Sequence, residues 1–310
     1  MENTRAKTTR NSLILLLTAT IWGMAFVSQS KGMDYMHPFT FNGVRSLIGA
    51  AGILVYILIS RKIAGDKAVK LDWKLNVKAG LLCGIFLTIA STLQQFGIKY
   101  TSVGKAGFIT TLYIIFVPMF GIFLKKKVAP VVWAAAGMAA VGMYLLCMTE
   151  SLRLGAGDIM VFLCAIAFAI QIMTVDHYAA RIDGAVVSCI QFTVCGAVCC
   201  IGALIWGQPT FGQIQEGLGA LLYAGVLSCG VGYTLQIVGQ KGLNPTVAAL
   251  IMSLESVIAT ISGWIAYKIG FLSTDQTLTT RQIAGCVIVF AAVILVQLPP
   301  EWFRFGKKND

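Results

Sequence analysis

The chain alternates between long apolar runs and short polar interruptions. Segments 79–98, 106–124, 128–149, 184–215, 217–240 and 282–300 contain no Asp, Glu, Lys or Arg. A hydrocarbon core of about 30 Å needs about 20 consecutive apolar residues in an α-helix. On that measure the pattern predicts ten spanning helices, over 12–30, 38–60, 77–97, 105–124, 129–148, 157–177, 184–206, 216–238, 245–268 and 281–299. Closed β-barrels are the other way to satisfy backbone polar groups in lipid, but they need shorter segments of alternating polarity. The expected fold is therefore an all-α membrane protein. The run beginning at Leu13 reads as a retained first helix, because further spans follow it.

Polar residues are scarce in these runs, so a repeated polar string carries weight. Thr92-Leu93-Gln94, with Gly97 and Lys99 after it, reads T-L-Q-x-x-G-x-K, and Thr234-Leu235-Gln236 with Gly239 and Lys241 reads the same 142 residues later. At the same offset Ala106 matches Ala248, Ile109 matches Ile251 and Leu112 matches Leu254. The spacing predicts two five-helix repeats, 1–154 and 155–310. Because five is odd, the second copy enters the membrane inverted. Inverted repeats are a recurrent plan of secondary transporters, with the substrate site near the midplane between the halves.

Composition changes the picture little. Hydrophobic residues make up 57% and charged residues 12% of the chain, about half the charged share of a soluble domain. The net charge of +11 has a topological reading rather than a nucleic-acid one. With the N-terminus in the cytoplasm, 17 Lys and Arg fall in cytoplasmic segments and six on the other side, with Arg45 left inside the second span. Positive residues collect on the cytoplasmic side, so both termini are expected on the cytoplasmic side of a cell membrane. The nine cysteines are mostly scattered through apolar runs, as small packing residues are. Neither they nor the two histidines have metal-ligand spacing, and no cofactor is expected.

The ordered motifs resemble the EamA-type members of the drug/metabolite transporter superfamily. The first span carries Ala19-Thr20-Ile21-Trp22-Gly23 followed by Phe26. Pro38 precedes Arg45 by seven residues. Gly157-Asp158 opens the second half, and Leu254-Glu255 with Gly263-Trp264 resembles the family's ninth span, with Ser256 where Pro is usual. The resemblance covers essentially the whole chain. It implies ten helices, a central cavity between the repeats, and transport of small organic molecules, often outward.

Candidate residues follow from polarity at depth. Glu255 is the one acid placed mid-span, and an intramembrane ionisable group is a functional candidate by default. It is read as a proton-coupling site, a counter-charge for a cationic solute, or a structural carboxylate. Gln94 and Gln236 are related by the repeat and are expected at the cavity, either lining it or bonding helices together. Gln171 and Tyr233 are candidates for the same lining. Tyr113 aligns with Glu255 under the repeat. Arg45 is read first as a residue that snorkels or pairs with a carbonyl or acid near the interface, and otherwise as one that attracts an anionic group; Trp22 is read as packing, and Asp158 as facing headgroups or water. Gly80 and Gly84 read as a close helix contact.

The function expected is a secondary-active or facilitative transporter, an exporter of small metabolites such as amino acids or drug-like molecules. It works by alternating access in a lipid bilayer, with a proton as the candidate coupling ion. The rivals are a membrane channel and an intramembrane enzyme. The chain lacks G-x-S-x-G and H-E-x-x-H strings for the enzyme, and a phosphate-binding loop for ATP-driven transport.

Overall fold

The computed structural model describes residues 2–65, 71–124, 130–147, 155–273 and 275–297. Among the described residues every regular element is helical. The first half contains α1 (Glu2–Gly32), α2 (Pro38–Ala64), α3 (Trp73–Ile98), α4 (Val103–Thr111), α5 (Tyr113–Phe123) and α6 (Pro130–Cys147). The second contains α7 (Ala156–Tyr178), α8 (Gly184–Gly202), α9 (Phe211–Glu216), α10 (Leu218–Leu222), α11 (Tyr233–Gln240), α12 (Pro245–Met252), α13 (Leu254–Lys268) and α14 (Thr280–Gln297). π-helical turns extend α8 through Ala203–Gly207 and join α10 to α11 through Tyr223–Gly232.

Among the described residues eight helical segments are long and apolar enough to cross a membrane, and Pro130–Gly142 and Thr280–Leu295 are apolar but shorter. The two shorter ones correspond to the expected spans 129–148 and 281–299, whose ends run into residues outside the described ones. Lys67, Lys70, Lys125, Lys126, Lys127, Arg153, Arg304, Lys307 and Lys308 also lie outside the described residues.

Local chemistry sets the helix starts. Side chains of Asp72, Ser102 and Asp183 cap α3, α4 and α8 by accepting from backbone N–H groups. Asn244 caps α12, with Pro245 in its first turn, where a missing N–H costs nothing. His37 caps α2 by accepting from the Phe39 N–H. Burial, with Lys99 nearby, lowers its pKa, which favours the neutral ring an acceptor nitrogen requires.

The polarity of the bundle is reversed relative to a soluble protein. Leu13, Leu17, Leu54, Leu58, Ile85 and Ile201 face outward, where lipid tails would cover them. Gln29, Asn42, Gln94, Gln95, Gln171, Gln191, Gln236 and Gln240 are buried. Packing is densest for α2 on α8, α6 on α14, α3 on α7 and α8, and α1 on α13. Glycines permit the close approaches. A methyl group at Gly80 would lie 2.7 Å from the Ile190 Cβ, and one at Gly84 would lie 3.0 Å from the Val194 Cβ, so both mark the α3–α8 contact.

Two helices break at matching places. The α4–α5 joint falls at Leu112 and the α12–α13 joint at Ser253. Just at these joints, Thr111 Oγ1 donates to the Phe108 carbonyl at 2.9 Å and Ser253 Oγ donates to the Leu250 carbonyl at 2.7 Å. A hydroxyl that bonds back one turn competes with the helix ladder and bends it. Thr111 and Ser253, and likewise Phe108 and Leu250, stand at the 142-residue offset.

Candidate functional site

The helix breaks face a cavity between the two halves of the chain. The space open to water centres within it is about 30 Å³, room for roughly two waters at about 10–15 Å³ each. Each half contributes polar groups. From the first come Gln29, Arg45, Gln94, Thr110 and Tyr113; from the second, Ser228, Tyr233, Gln236 and Glu255. Trp22, Phe26, Phe168 and Ile172 supply the apolar wall.

Glu255 lies in the first turn of α13, where the N-terminal end of the helix favours negative charge. It is 3% exposed. The Tyr113 hydroxyl, at the start of α5, donates to Glu255 Oε1 at 2.9 Å. Gly23 makes this corner close-fitting. A methyl group there would lie 2.8 Å from the Glu255 carbonyl oxygen and 2.6 Å from the Ile258 Cβ. The Trp-Gly pair of α1 therefore holds Trp22 beside the break that presents Glu255.

Trp22 is more than packing. Its indole N–H donates to the Ser228 carbonyl at 3.4 Å, within the π-helical stretch, and its ring lies 4.5 Å from that of Tyr233. Phe192 also meets Tyr233, in an edge contact with ring centroids 5.0 Å apart. The matching stretch of α3 is plain α-helix, so the π-helical turn is one place where the two halves differ.

The glutamines divide their work. Gln171 and Gln236 exchange amide hydrogen bonds, at 3.4 Å from Gln171 Nε2 and 3.1 Å from Gln236 Nε2. Gln94 Nε2 donates to Thr110 Oγ1 at 3.2 Å. Gln94 and Gln236 both line the cavity, and each bonds within its own neighbourhood rather than to the other. Gln171 stands behind Gln236 and orients it. Tyr113, Tyr233 and Glu255 are brought together at the wall; Gln95 instead bonds the Gln29 carbonyl.

Two residues lie in settings the sequence did not reveal. Arg45 is 5% exposed and lines the cavity; it does not snorkel. Asp158 is 4% exposed rather than facing headgroups. It accepts from Lys105 Nζ at 2.6 Å, from Thr101 Oγ1 at 2.9 Å and from the Gly155 N–H at 2.9 Å. These bonds tie the α3–α4 turn to the start of α7. Toward the opposite end of the bundle, Asn11 Nδ2 donates to the Lys241 carbonyl at 2.8 Å, tying α1 to the α11–α12 turn without an ion pair.

Among the described residues no group of three or more His, Cys, Asp or Glu could hold a metal ion.

Comparison with known proteins agrees with this architecture. The model of the EamA-like transporter family matches residues 10–148 and again 155–298. An uncharacterized transporter of Archaeoglobus fulgidus is 28% identical over 292 residues, covering 92% of this chain and 84% of that protein. The uncharacterized transporter YvbV of Bacillus subtilis is 23% identical, covering 93% of this chain and 92% of that one. A solved crystal structure superposes with a TM-score of 0.71 at 17% identity, covering 93% of this chain and 96% of the other, which shows a shared fold.

Proposed function

This chain belongs to the EamA-like transporter family, and we propose that it is a secondary-active or facilitative carrier that exports small organic metabolites, such as amino acids or drug-like molecules. In this reading ten helices form two inverted repeats, 1–154 and 155–310, in the cell membrane with both termini cytoplasmic. The cargo binds at the cavity between the halves, which opens to each side in turn.

The observation that carries the reading is the pair of matched helix breaks. Broken helices at the midplane are a device of secondary transporters, because their ends present polar groups to a buried cargo. Here they present Tyr113 and Glu255 at the same register of the two halves. The helix contacts support a two-fold arrangement. α3 packs on α7 as α1 packs on α11 and its π-helical turn, and α1 meets α12 and α13 as α7 meets α4 and α5. Two separate matches to one family model point the same way. The side with more Lys and Arg supports cytoplasmic termini.

Gln94, Gln236, Tyr113, Tyr233 and Glu255 form the binding wall in this account, with Gln171 behind them. Glu255 also carries the coupling proton, since it is the buried acid that the cargo site contains.

Flux into proteoliposomes of purified protein tests the class. A carrier gives a rate that saturates with cargo concentration; a pore gives a rate that stays linear well beyond the millimolar range. Linear flux would replace this reading with the channel alternative.

A further inference from the structure

We propose that Arg45 is the anchor for an acidic group on the cargo, which makes the cargo a small zwitterion with a carboxylate at one end and an amine at the other. This rests on the carrier reading above and specifies its substrate class.

A guanidinium stays charged at any working pH. Buried cations are normally paired, because water no longer solvates them. Arg45 has no such partner. Its Nε is buried without a hydrogen-bond partner, and among the described residues the only ion pairs are Lys31–Asp34 and Lys105–Asp158. Its guanidinium carbon lies 5.4 Å from the Phe41 ring centroid. A ring contact of this kind supplies no oxygen acceptor, and Nε is left unanswered. The fold does not require a cation for packing, since Gly84 meets Val194 and the neutral Gln191 as Gly225 meets Ile48 and Arg45.

The cavity supplies the matching charge for the other end of the cargo. Glu255 accepts one hydrogen bond, from Tyr113 to Oε1, which leaves its second oxygen for a donor. Arg45, Tyr233 and Glu255 line the same cavity, so one compact molecule can address both charges. A carboxylate fits the planar guanidinium through two parallel hydrogen bonds. One cation and one anion leave no excess positive charge for a doubly charged phosphate. The cavity of about 30 Å³ is too small for such a cargo as it stands, so the hydrocarbon part enters against Trp22, Phe26, Phe168 and Ile172 only when the two halves part.

The test uses the full chain in nanodiscs. The probes are leucine, methionine and phenylalanine, each beside its amide and its decarboxylated amine. Thermal shift and proteoliposome flux are read for the wild type, Arg45→Gln and Arg45→Lys. At least one free amino acid is expected to raise the melting temperature while its amide does not. Arg45→Gln weakens that binding at least tenfold, and Arg45→Lys weakens it less. Arg45→Gln without ligand melts no lower than wild type, because it removes an unpaired buried charge; a purely structural arginine would give a lower melting point. Should Arg45→Gln fail to fold, Arg45→Lys and the acid-against-amide comparison in the wild type still decide. Equal binding of acid and amide, or undiminished binding by Arg45→Gln, overturns the assignment. Flux of amines or amides alone, or no binding and no flux of any probe, overturns it and leaves the carrier reading to the saturation test.

Discussion

The hydroxyl of Tyr113 donates to Glu255 Oε1 across the seam between the two halves, at 2.9 Å and a separation of 142 residues. That separation equals the offset of the T-L-Q-x-x-G-x-K repeat. In the proposed two-repeat arrangement these are equivalent positions that meet on a two-fold axis, where one contributes a donor and the other an acid. In this account the asymmetry lets the axis bind a proton or an amine. Glu255→Gln is therefore expected to lower net transport at least tenfold and to flatten its pH dependence. Flux in proteoliposomes with imposed pH gradients reads this directly; an unchanged rate and pH profile would remove Glu255 from coupling.

Tyr113→Phe separates structure from function at the same contact. It leaves a buried carboxylate oxygen without its donor, at a cost of about 1–3 kcal/mol. Reversible unfolding in mixed micelles should show that loss. Stability equal to wild type would mean that the carboxylate has another donor.

The Gln171–Gln236 pair is mutually satisfying. Gln236→Leu alone strands the Gln171 amide and should cost about 1–2 kcal/mol, whereas the double change to Leu should recover part of it. Coupling in such a cycle averages about 0.6 kcal/mol between membrane helices. Strictly additive effects would show that the two amides do not support one another.

Asp158 and Lys105 form the ion pair that ties the α3–α4 turn to α7. Asp158→Asn keeps the shape and weakens a hydrogen bond between charged groups, worth about 1.5–3 kcal/mol. Hydrogen exchange should quicken over 99–105 and 155–160 and stay unchanged over 240–246, where Asn11 holds the other end. Equal acceleration at both ends would contradict a local tie.

Gly23 and Gly52 make a matched comparison. A methyl group at Gly23 meets the Ile258 side chain and the Glu255 carbonyl, while one at Gly52 meets nothing within 4 Å. Gly23→Ala should cost about 1–3 kcal/mol through overpacking, and Gly52→Ala should be neutral or stabilising. Thermal unfolding of the two variants side by side reads the difference.

Much of the fold was legible because the bilayer imposes a simple rule on apolar run length. Glu255, Gln94 and Gln236 were legible because polar groups at depth are rare and the repeat ties them together. Arg45 was not. Its depth along the chain is the same whether it turns toward the interface or inward, and no local signal distinguishes the two. Asp158 was misread because its partner Lys105 lies 53 residues away in sequence. The breaks at Leu112 and Ser253 carry no Gly or Pro; the Thr111 and Ser253 hydroxyls bond back at them, and these look like ordinary small polar residues until the backbone is seen. The π-helical turn before Tyr233 likewise has no marker in the repeat, since its copy in α3 is regular.

Counterflow tests the carrier account most directly. Proteoliposomes loaded with unlabelled amino acid are diluted into a trace of the same compound carrying a radiolabel. A site that faces one side at a time exchanges inner for outer molecules, so the label should accumulate transiently above its equilibrium level and then decay. Label that only approaches equilibrium, at a rate indifferent to the internal load, would contradict alternating access around this cavity.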